Sequence, residues 1–495
     1  MAQKHVICGY DIFRLLDENG ICYEYDAAFA PLRFEQVNEY AERIGKNSLY
    51  IHRRRRTGPR SMQLALENGA AGCITDQRIP TSLPCLYTES VYKAAAVISR
   101  AFYNDIANQI EQVCIIGTKG KTTTSRMLHA ILSAADQRPA AFCTTNCSFD
   151  GKTKEHFAGT VSDPTVYYPL CEQALENGCR HMVSEMPSYA ELCSRLTGIR
   201  FRYGIFTNLD HDHVSPYGHR SFENYVACKK KMLSRCRNVL LNLDDPGIDE
   251  FLEAAQNARS RMTFSLKGDV RADFRVHDIR RWRQGHAFTV ETPSREMEMM
   301  ISMPGIFNVS NALAAISQAW NMGVSPDTIR EAIRDIHVEG RMMACEHNGY
   351  LAFVDYAHNG ISFRAVMDSL RTDYPDRKIV VVSGIGGRVS EYCHEDVARV
   401  IALYADHCIV TTDNPLDEDP AALCHDLKNR IERNGGTARI LPDRTDAIRQ
   451  AVEELKKDEV LLVTGKGVDR EMNFFDHLEP YEGDDVLTQR FIRGR

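Results

Sequence analysis

The sequence predicts an α/β protein of three domains. A central parallel sheet is flanked by a small N-terminal α/β domain and a C-terminal doubly wound, Rossmann-like domain. Three observations carry that expectation. Short apolar runs alternate with helical periodicity from about residue 109 onward, the pattern of parallel strands covered by helices. One of those runs, Val113 to Ile116, leads through a Gly-rich turn straight into a helical segment. After residue 338 the alternation repeats, with β-branched runs at Leu351–Tyr356, Ile379–Ser383, His407–Thr411 and Val460–Thr464.

Length and composition agree. A chain of 495 residues holds about three domains of ordinary size. Hydrophobic residues at 43% and charged residues at 26% describe a soluble globular chain. A net charge of −7 disfavours a nucleic-acid or membrane-surface binder. The basic run His52–Arg56 lacks the interleaved aromatics of a nucleic-acid site. It reads as solvated surface or as an anion contact. No apolar run approaches a membrane span, and the start lacks a secretory apolar region. The 16 cysteines are scattered singly with no Cys-x-x-Cys pair, as expected of reduced, mostly buried thiols. These features predict a cytoplasmic chain, expected as a monomer, with small-molecule partners.

Taken in order, residues 1–108 carry short strands at Ser48–Ile51, Ala71–Thr75 and Cys85–Tyr87. A helix from Met62 is closed by Gly69, and a helix over Tyr92–Tyr103 leads onward. Residues 109–337 form the central domain, with strands His181–Glu185, Tyr203–Asn208 and Val239–Leu243 ending in polar residues. In open α/β sheets ligands bind at those carboxyl ends. Short β segments follow over 261–300, with a hairpin turn at Trp282–Gly285. Residues 338–495 form the C-terminal domain.

The stretch Gly117-Thr-Lys-Gly120-Lys121-Thr122-Thr123 has the composition of a phosphate loop. Backbone N–H groups of such a turn and of the following helix N-terminus face an anion. Lys121 would reach the β/γ-phosphates, and the hydroxyl of Thr122 or Thr123 can coordinate Mg²⁺. Thr118 and Lys119 supply further backbone. Ile115 stands where the outer glycine of the full motif would be. A strand–turn–helix context of this kind makes the central domain a P-loop ATPase type.

Other stretches carry chemistry. Glu185 and His213 lie at strand ends and suit a divalent metal near phosphates. Lys229, Lys230 and Lys231 sit in a helix opened by Asn224. Asn308 and Asn311, three apart, can face one ligand from a single helical turn. Gly340-Arg341, Asp355-Tyr-Ala-His358, Asp413-Asn414-Pro415 and Gly465-Lys-Gly467 all fall at strand-to-loop junctions.

In this order, from about residue 110 to 470, these stretches resemble the Mur ligase family of ATP-dependent amide-forming ligases. They are most similar to its branch that adds an amino acid to a UDP-N-acetylmuramoyl-dipeptide in peptidoglycan precursor synthesis. The resemblance implies ATP and Mg²⁺ as cofactors and an acyl phosphate between two substitution steps. It implies that Lys121 and the loop hold phosphates and that Thr122, Glu185, His213 and Lys229 serve the metal. Lys229 would be carried as a carbamate (N6-carboxylysine). Asn308 and Asn311 match adenine-side asparagines, while Arg341, Asp355 and His358 would reach the ATP from the third domain. Ser162, Ser188 and Arg195 fall on the side of the UDP-sugar peptide. Arg388, Asp413, Asn414, Gly465 and Asp469 fall on the side of the incoming amino acid.

Departures accompany the likeness. Glu185-Met-Pro-Ser-Tyr189 replaces the family's Glu-Val-Ser-Ser-His, and Val161-Ser-Asp-Pro164 replaces Thr-Thr-Pro. The Asp-Ser-Arg element expected in the N-terminal domain is missing. Leu416 follows Asp-Asn-Pro where diaminopimelate-adding members have arginine, and Leu cannot replace that carboxylate clamp. Gly465-Lys-Gly-Val-Asp469 has Val and Asp for His and Glu. These changes keep two alternatives open: a ligase with a non-cell-wall acceptor, such as a folate, an amino-acid polymer or a peptide natural product, and a nucleotide-binding homologue without ligase activity.

Overall fold

The computed structural model describes residues 5–53, 59–142, 147–148, 163–210, 218–474 and 477–495. His213, Ser162 and Arg54–Arg56 lie outside the described residues. The chain divides into two compact units, Met1–Phe264 with Ser317–Val324, and Ser265–Ile316 with Ser325–Arg495. Sheets rich in parallel strands and layered with helices make it a mixed α/β protein. No helix among the described residues is long and apolar enough to cross a membrane.

The first unit holds two larger sheets beside the short antiparallel pair Ile7–Cys8 and Arg33–Phe34. The N-terminal one runs, in spatial order, Glu24–Tyr25, Cys85–Tyr87, Ala70–Thr75, Ser48–Ile51, Gln36–Asn38. Its strands are parallel except for the Glu24–Tyr25 edge. The second runs Cys147–Ser148, Pro139–Phe142, His181–Glu185, Glu111–Ile116, Phe201–Phe206, Cys236–Asn242, Ser260–Ser265, with only the first pair antiparallel. Residues Val113 to Ile116 are buried on both faces, as a central parallel strand must be. That is why the run reads as continuously apolar. The helix Val91–Phe102 packs against the helix Pro164–Glu176, with Tyr103 stacked on Tyr168 at 6.3 Å.

The second unit contains an antiparallel meander, Phe274–Trp282, Gly285–Glu291 and Glu296–Ile301. These strands are longer than the short segments expected, because polar residues on their open face broke up the apolar signal. The expected hairpin turn at Trp282–Gly285 is present, with Arg283 at φ +53°. A six-stranded sheet follows in the order Met343–His347, Tyr350–Asp355, Glu459–Thr464, Lys378–Ser383, His407–Val410, Ala438–Ile440. It is parallel apart from its first pair.

Arg53 is not solvated surface: its guanidinium is 3% exposed, 3.1 Å from Asp163 Oδ1 and in contact with Glu39. Burial alone would weaken its charge, but the two carboxylates outweigh that and raise its pKa. A basic run gives no sign of acids 14 and 110 residues away.

Candidate functional site

In the first unit the strand Glu111–Ile116 lies between His181–Glu185 and Phe201–Phe206, both parallel to it. Glu185 registers opposite Ile115, and Phe206 opposite Ile116. Parallel register brings all three carboxyl ends to one edge, so Glu185 and Thr207 arrive beside the turn Gly117–Gly120. Gly120, at φ +83°, is the N-cap of the helix Lys121–Ala134. Gly117 is required by contact: a Cβ there would meet Thr207 Oγ1 at 1.9 Å.

The loop is tied down from the neighbouring strand end. Asn208 Oδ1 accepts from Lys119 N at 2.8 Å, and its Nδ2 donates to Lys119 O at 3.1 Å. The Thr207 hydroxyl donates to Lys119 O at 2.7 Å, and Thr118 N to Asn208 O at 2.9 Å. Asp245 in turn holds Leu209 N at 2.6 Å. Asn208 and Asp245 lie in two stretches that share in the family resemblance, Thr207–His213 and Asn242–Pro246, but the sequence assigns neither a role of its own. Their signal was present, since each lies in a polar stretch just past an apolar strand.

Around this loop stand the residues expected to serve a metal. Thr122 Oγ1 donates to Glu185 Oε2 at 3.0 Å, with Glu185 only 1% exposed. Glu185 is the last residue of its strand. Lys229 is equally buried; its Nζ donates to Gly117 O at 2.7 Å and lies over the Tyr225 ring at 4.5 Å. The Tyr225 hydroxyl and Thr118 Oγ1 are 2.9 Å apart. Lys121 Nζ donates to the carbonyls of Gly117 and Thr118, both at 3.0 Å. Thr123 is buried in the first helical turn. Among the described residues no group of three His, Cys, Asp or Glu converges on a metal position.

Further along the same unit, Ser188 Oγ lies 2.8 Å from His219 Nε2. Arg195 Nη1 is 2.8 Å from Asp163 Oδ1, and both Arg195 and Arg53 lie over the Tyr92 ring, at 5.0 and 4.8 Å. Two arginines and the carboxylates Glu39 and Asp163 thus form one largely buried, charge-balanced cluster. Asp163 belongs to the stretch that departs from Thr-Thr-Pro.

The second unit gathers its own set. Asn311 Nδ2 donates to Asn308 Oδ1 at 3.2 Å, and Asn308 Nδ2 to Pro304 O at 2.7 Å, so the two amides orient each other. Asp355 ends the strand Tyr350–Asp355 and accepts from Met342 N at 2.8 Å. The Arg341 guanidinium lies over Tyr356 at 5.0 Å. Burial, with the nearby Asp469 and Asp413 carboxylates, pushes the Tyr356 hydroxyl up to about 12. His358 Nδ1 donates to Tyr356 O at 2.8 Å.

At the carboxyl ends of the next strands, Lys466 Nζ reaches Asn414 Oδ1 at 2.8 Å and Asp469 Oδ2 at 3.3 Å. Gly465 is at φ +113°, and a Cβ there would strike Asp413 Oδ2 at 2.4 Å. Arg388 makes a two-point pair with Asp417, both contacts at 2.7 Å, and Gly387 N donates to Asn414 O at 2.9 Å. Beneath them, Arg444 and Asp484 form a buried pair that also holds Thr464 O and Gly467 N. The structure therefore brings Arg388, Asp413, Asn414, Gly465 and Asp469 to one sheet edge, and Arg341, Asp355 and His358 to a neighbouring strand end.

Residues 115–319 match the Mur ligase middle domain, and residues 340–467 the Mur ligase, glutamate ligase domain. The chain is 31% identical over 426 residues to the UDP-N-acetylmuramoyl-L-alanyl-D-glutamate–L-lysine ligase of Enterococcus faecalis, spanning 84% of this chain and 82% of that one. It is 27% identical over 478 residues to the corresponding 2,6-diaminopimelate ligase of Caldanaerobacter subterraneus, spanning 96% and 95%. A solved UDP-N-acetylmuramoyl-L-alanyl-D-glutamate–2,6-diaminopimelate ligase shares the fold, with a TM-score of 0.63 at 22% identity over 99% of both chains. The chain belongs to the Mur ligase family.

Proposed function

We propose that this chain uses ATP to join an amino acid to UDP-N-acetylmuramoyl-L-alanyl-D-glutamate, forming an amide bond in peptidoglycan precursor synthesis. The observation that carries the reading is the phosphate loop wired to Glu185 through Thr122 and to Lys229 through Gly117 O, in a chain similar to such ligases along most of its length. We assign residues 1–108 to the nucleotide-sugar acceptor, 109–337 to ATP and 338–495 to the amino acid.

The acceptor carboxylate attacks the γ-phosphorus and ADP leaves. The amine then attacks the acyl carbon, and phosphate departs with one former carboxylate oxygen. Phosphoryl transfer of this kind needs positioning and charge neutralisation. The loop N–H groups and Lys121 supply both, since phosphate oxygens are better acceptors than the carbonyls Lys121 now contacts. Arg341 and Asp355 are assigned to the nucleotide, as are Asn308 and Asn311.

Hydroxyl and carboxylate oxygens are the donor set that Mg²⁺ takes, so Thr122 and Glu185 fit it, with His213 assigned by motif position. When bound, Mg²⁺ draws negative charge from the phosphoryl oxygens. A carbamate on Lys229 would exchange a buried cation for oxygen donors. Labelled bicarbonate should then give a carbamate carbon resonance that is lost in Lys229→Ala, and an unchanged spectrum would count against it. For the amino acid, Leu416 and the Arg388–Asp417 pair disfavour a side chain ending in a carboxylate, and so disfavour diaminopimelate.

The test is phosphate release from ATP and Mg²⁺ in the presence of the UDP-sugar dipeptide and single amino acids. Release that requires both partners supports the reading. Release indifferent to the dipeptide would overturn it.

A further inference from the structure

One buried residue lies outside every motif above and yet joins several of them. We infer that His219 is a positioning residue that holds Ser188 as a hydrogen-bond acceptor for an N–H group of the acceptor substrate, an inference that rests on the ligase reading. His219 is 1% exposed and precedes the helix Phe222–Leu233. Its two nitrogens have different partners: Nε2 lies 2.8 Å from Ser188 Oγ, and Nδ1 lies 3.0 Å from Asn224 Oδ1.

An amide oxygen can only accept, so Nδ1 carries the hydrogen. Burial holds the imidazole below its ordinary value, which keeps the ring neutral and Nε2 bare. The Ser188 hydroxyl must then donate to Nε2. Its remaining lone pairs can meet only donors. Ser188 opens the short helix that follows Glu185, the carboxylate bonded to Thr122. The peptide N–H groups of an acylated dipeptide are donors of the required kind.

The same ring also braces the loop. His219 packs edge-on against Tyr225, with centroids 5.1 Å apart at 70°. Tyr225 in turn contacts Thr118 and lies under Lys229. His219 thus links the acceptor-side serine to the nucleotide side.

Two substitutions separate the roles. In His219→Asn the amide can still reach Asn224 but not Ser188. In His219→Gln the amide oxygen stands near the Nε2 position and can accept from Ser188. The acceptor KM should rise about five- to tenfold in His219→Asn, the effect of one hydrogen bond. It should stay within about twofold in His219→Gln, while any change in the ATP KM should be the same in both, since both lose the ring packed on Tyr225. Adding Ser188→Ala to His219→Asn should cost nothing more. Equal acceptor KM values for the two variants would overturn the assignment, as would a fall in kcat with acceptor KM unmoved.

Proton–nitrogen correlation spectra of histidine-labelled protein decide the point without any substrate. The His219 signals, assigned by their loss in His219→Gln, should show the Nδ1–H tautomer, and the bare Nε2 should shift in Ser188→Ala. An Nε2–H tautomer, or indifference to Ser188→Ala, would overturn the inference. Wild-type protein inactive on the UDP-sugar dipeptide would count against the proposed acceptor alone.

Discussion

Gly117→Ala is the sharpest perturbation of the nucleotide loop, because its cost is steric alone. Gly117 does not need a positive φ, so alanine meets no backbone penalty there. The new Cβ would stand 1.9 Å from Thr207 Oγ1 and 3.1 Å from Thr207 Cβ. An ordinary contact needs about 3.5 Å. Thr207 must therefore rotate or the loop must shift. Rotation breaks the 2.7 Å bond from Thr207 Oγ1 to Lys119 O, worth about 1 kcal/mol. Overpacking adds about 1–3 kcal/mol. The sum, about 2–4 kcal/mol, corresponds to a loss of roughly 30- to 1,000-fold in nucleotide affinity if the loop's shape bears it.

Calorimetric titration with ADP measures this directly. Thr207→Ala alone should lose only about fivefold, the worth of its hydrogen bond. The double variant should bind better than Gly117→Ala, because the colliding oxygen is gone. Affinity within twofold of wild type in folded Gly117→Ala would refute the reasoning, and so would strictly additive effects in the double variant.

Asp484→Asn should destabilise the second unit by about 3–5 kcal/mol, because it strands the buried Arg444 charge; urea unfolding followed by fluorescence reads it. Burial holds the His181 and His407 imidazoles below their ordinary value. The unfolded chain therefore binds more protons below about pH 6.5, and stability is lost as pH falls from there toward the folded values. Melting temperatures across that range should fall less in a His181→Gln, His407→Gln variant than in wild type. Leu416→Arg should raise turnover with diaminopimelate relative to lysine by about tenfold or more, by restoring a charged donor for the distal carboxylate. The competition assay would contradict this if the ratio stayed unchanged.

The sequence revealed elements wherever local signals were strong. The strand Ser48–Ile51 and the strand His181–Glu185 have the bounds their apolar runs suggested. The helix Lys121–Ala134 follows from the Gly-rich turn that starts it. Thr122, Glu185 and Lys229 were legible as members of ordered motifs, although their spacing along the chain says nothing of the bonds that join them. Asn208, Asp245 and His219 were harder to see. Asn208 and Asp245 act on partners that parallel strand register brings near, and His219 on a serine 31 residues away; neither relation is a property of any one stretch. Arg53 was misread for the same reason: its acids come from elements far along the chain, and only packing turns a basic run into a buried ion cluster. In the meander, alternation with charged residues hid the strands' length.

The central claim is that an acceptor carboxylate is phosphorylated by ATP and then amidated. Heavy-oxygen label in the terminal carboxylate of UDP-N-acetylmuramoyl-L-alanyl-D-glutamate tests it most directly, with phosphate and product both read by mass. The account predicts one labelled oxygen in the released phosphate, and a product heavier by one amino-acid residue that retains the other. Unlabelled phosphate with an unchanged dipeptide would contradict it.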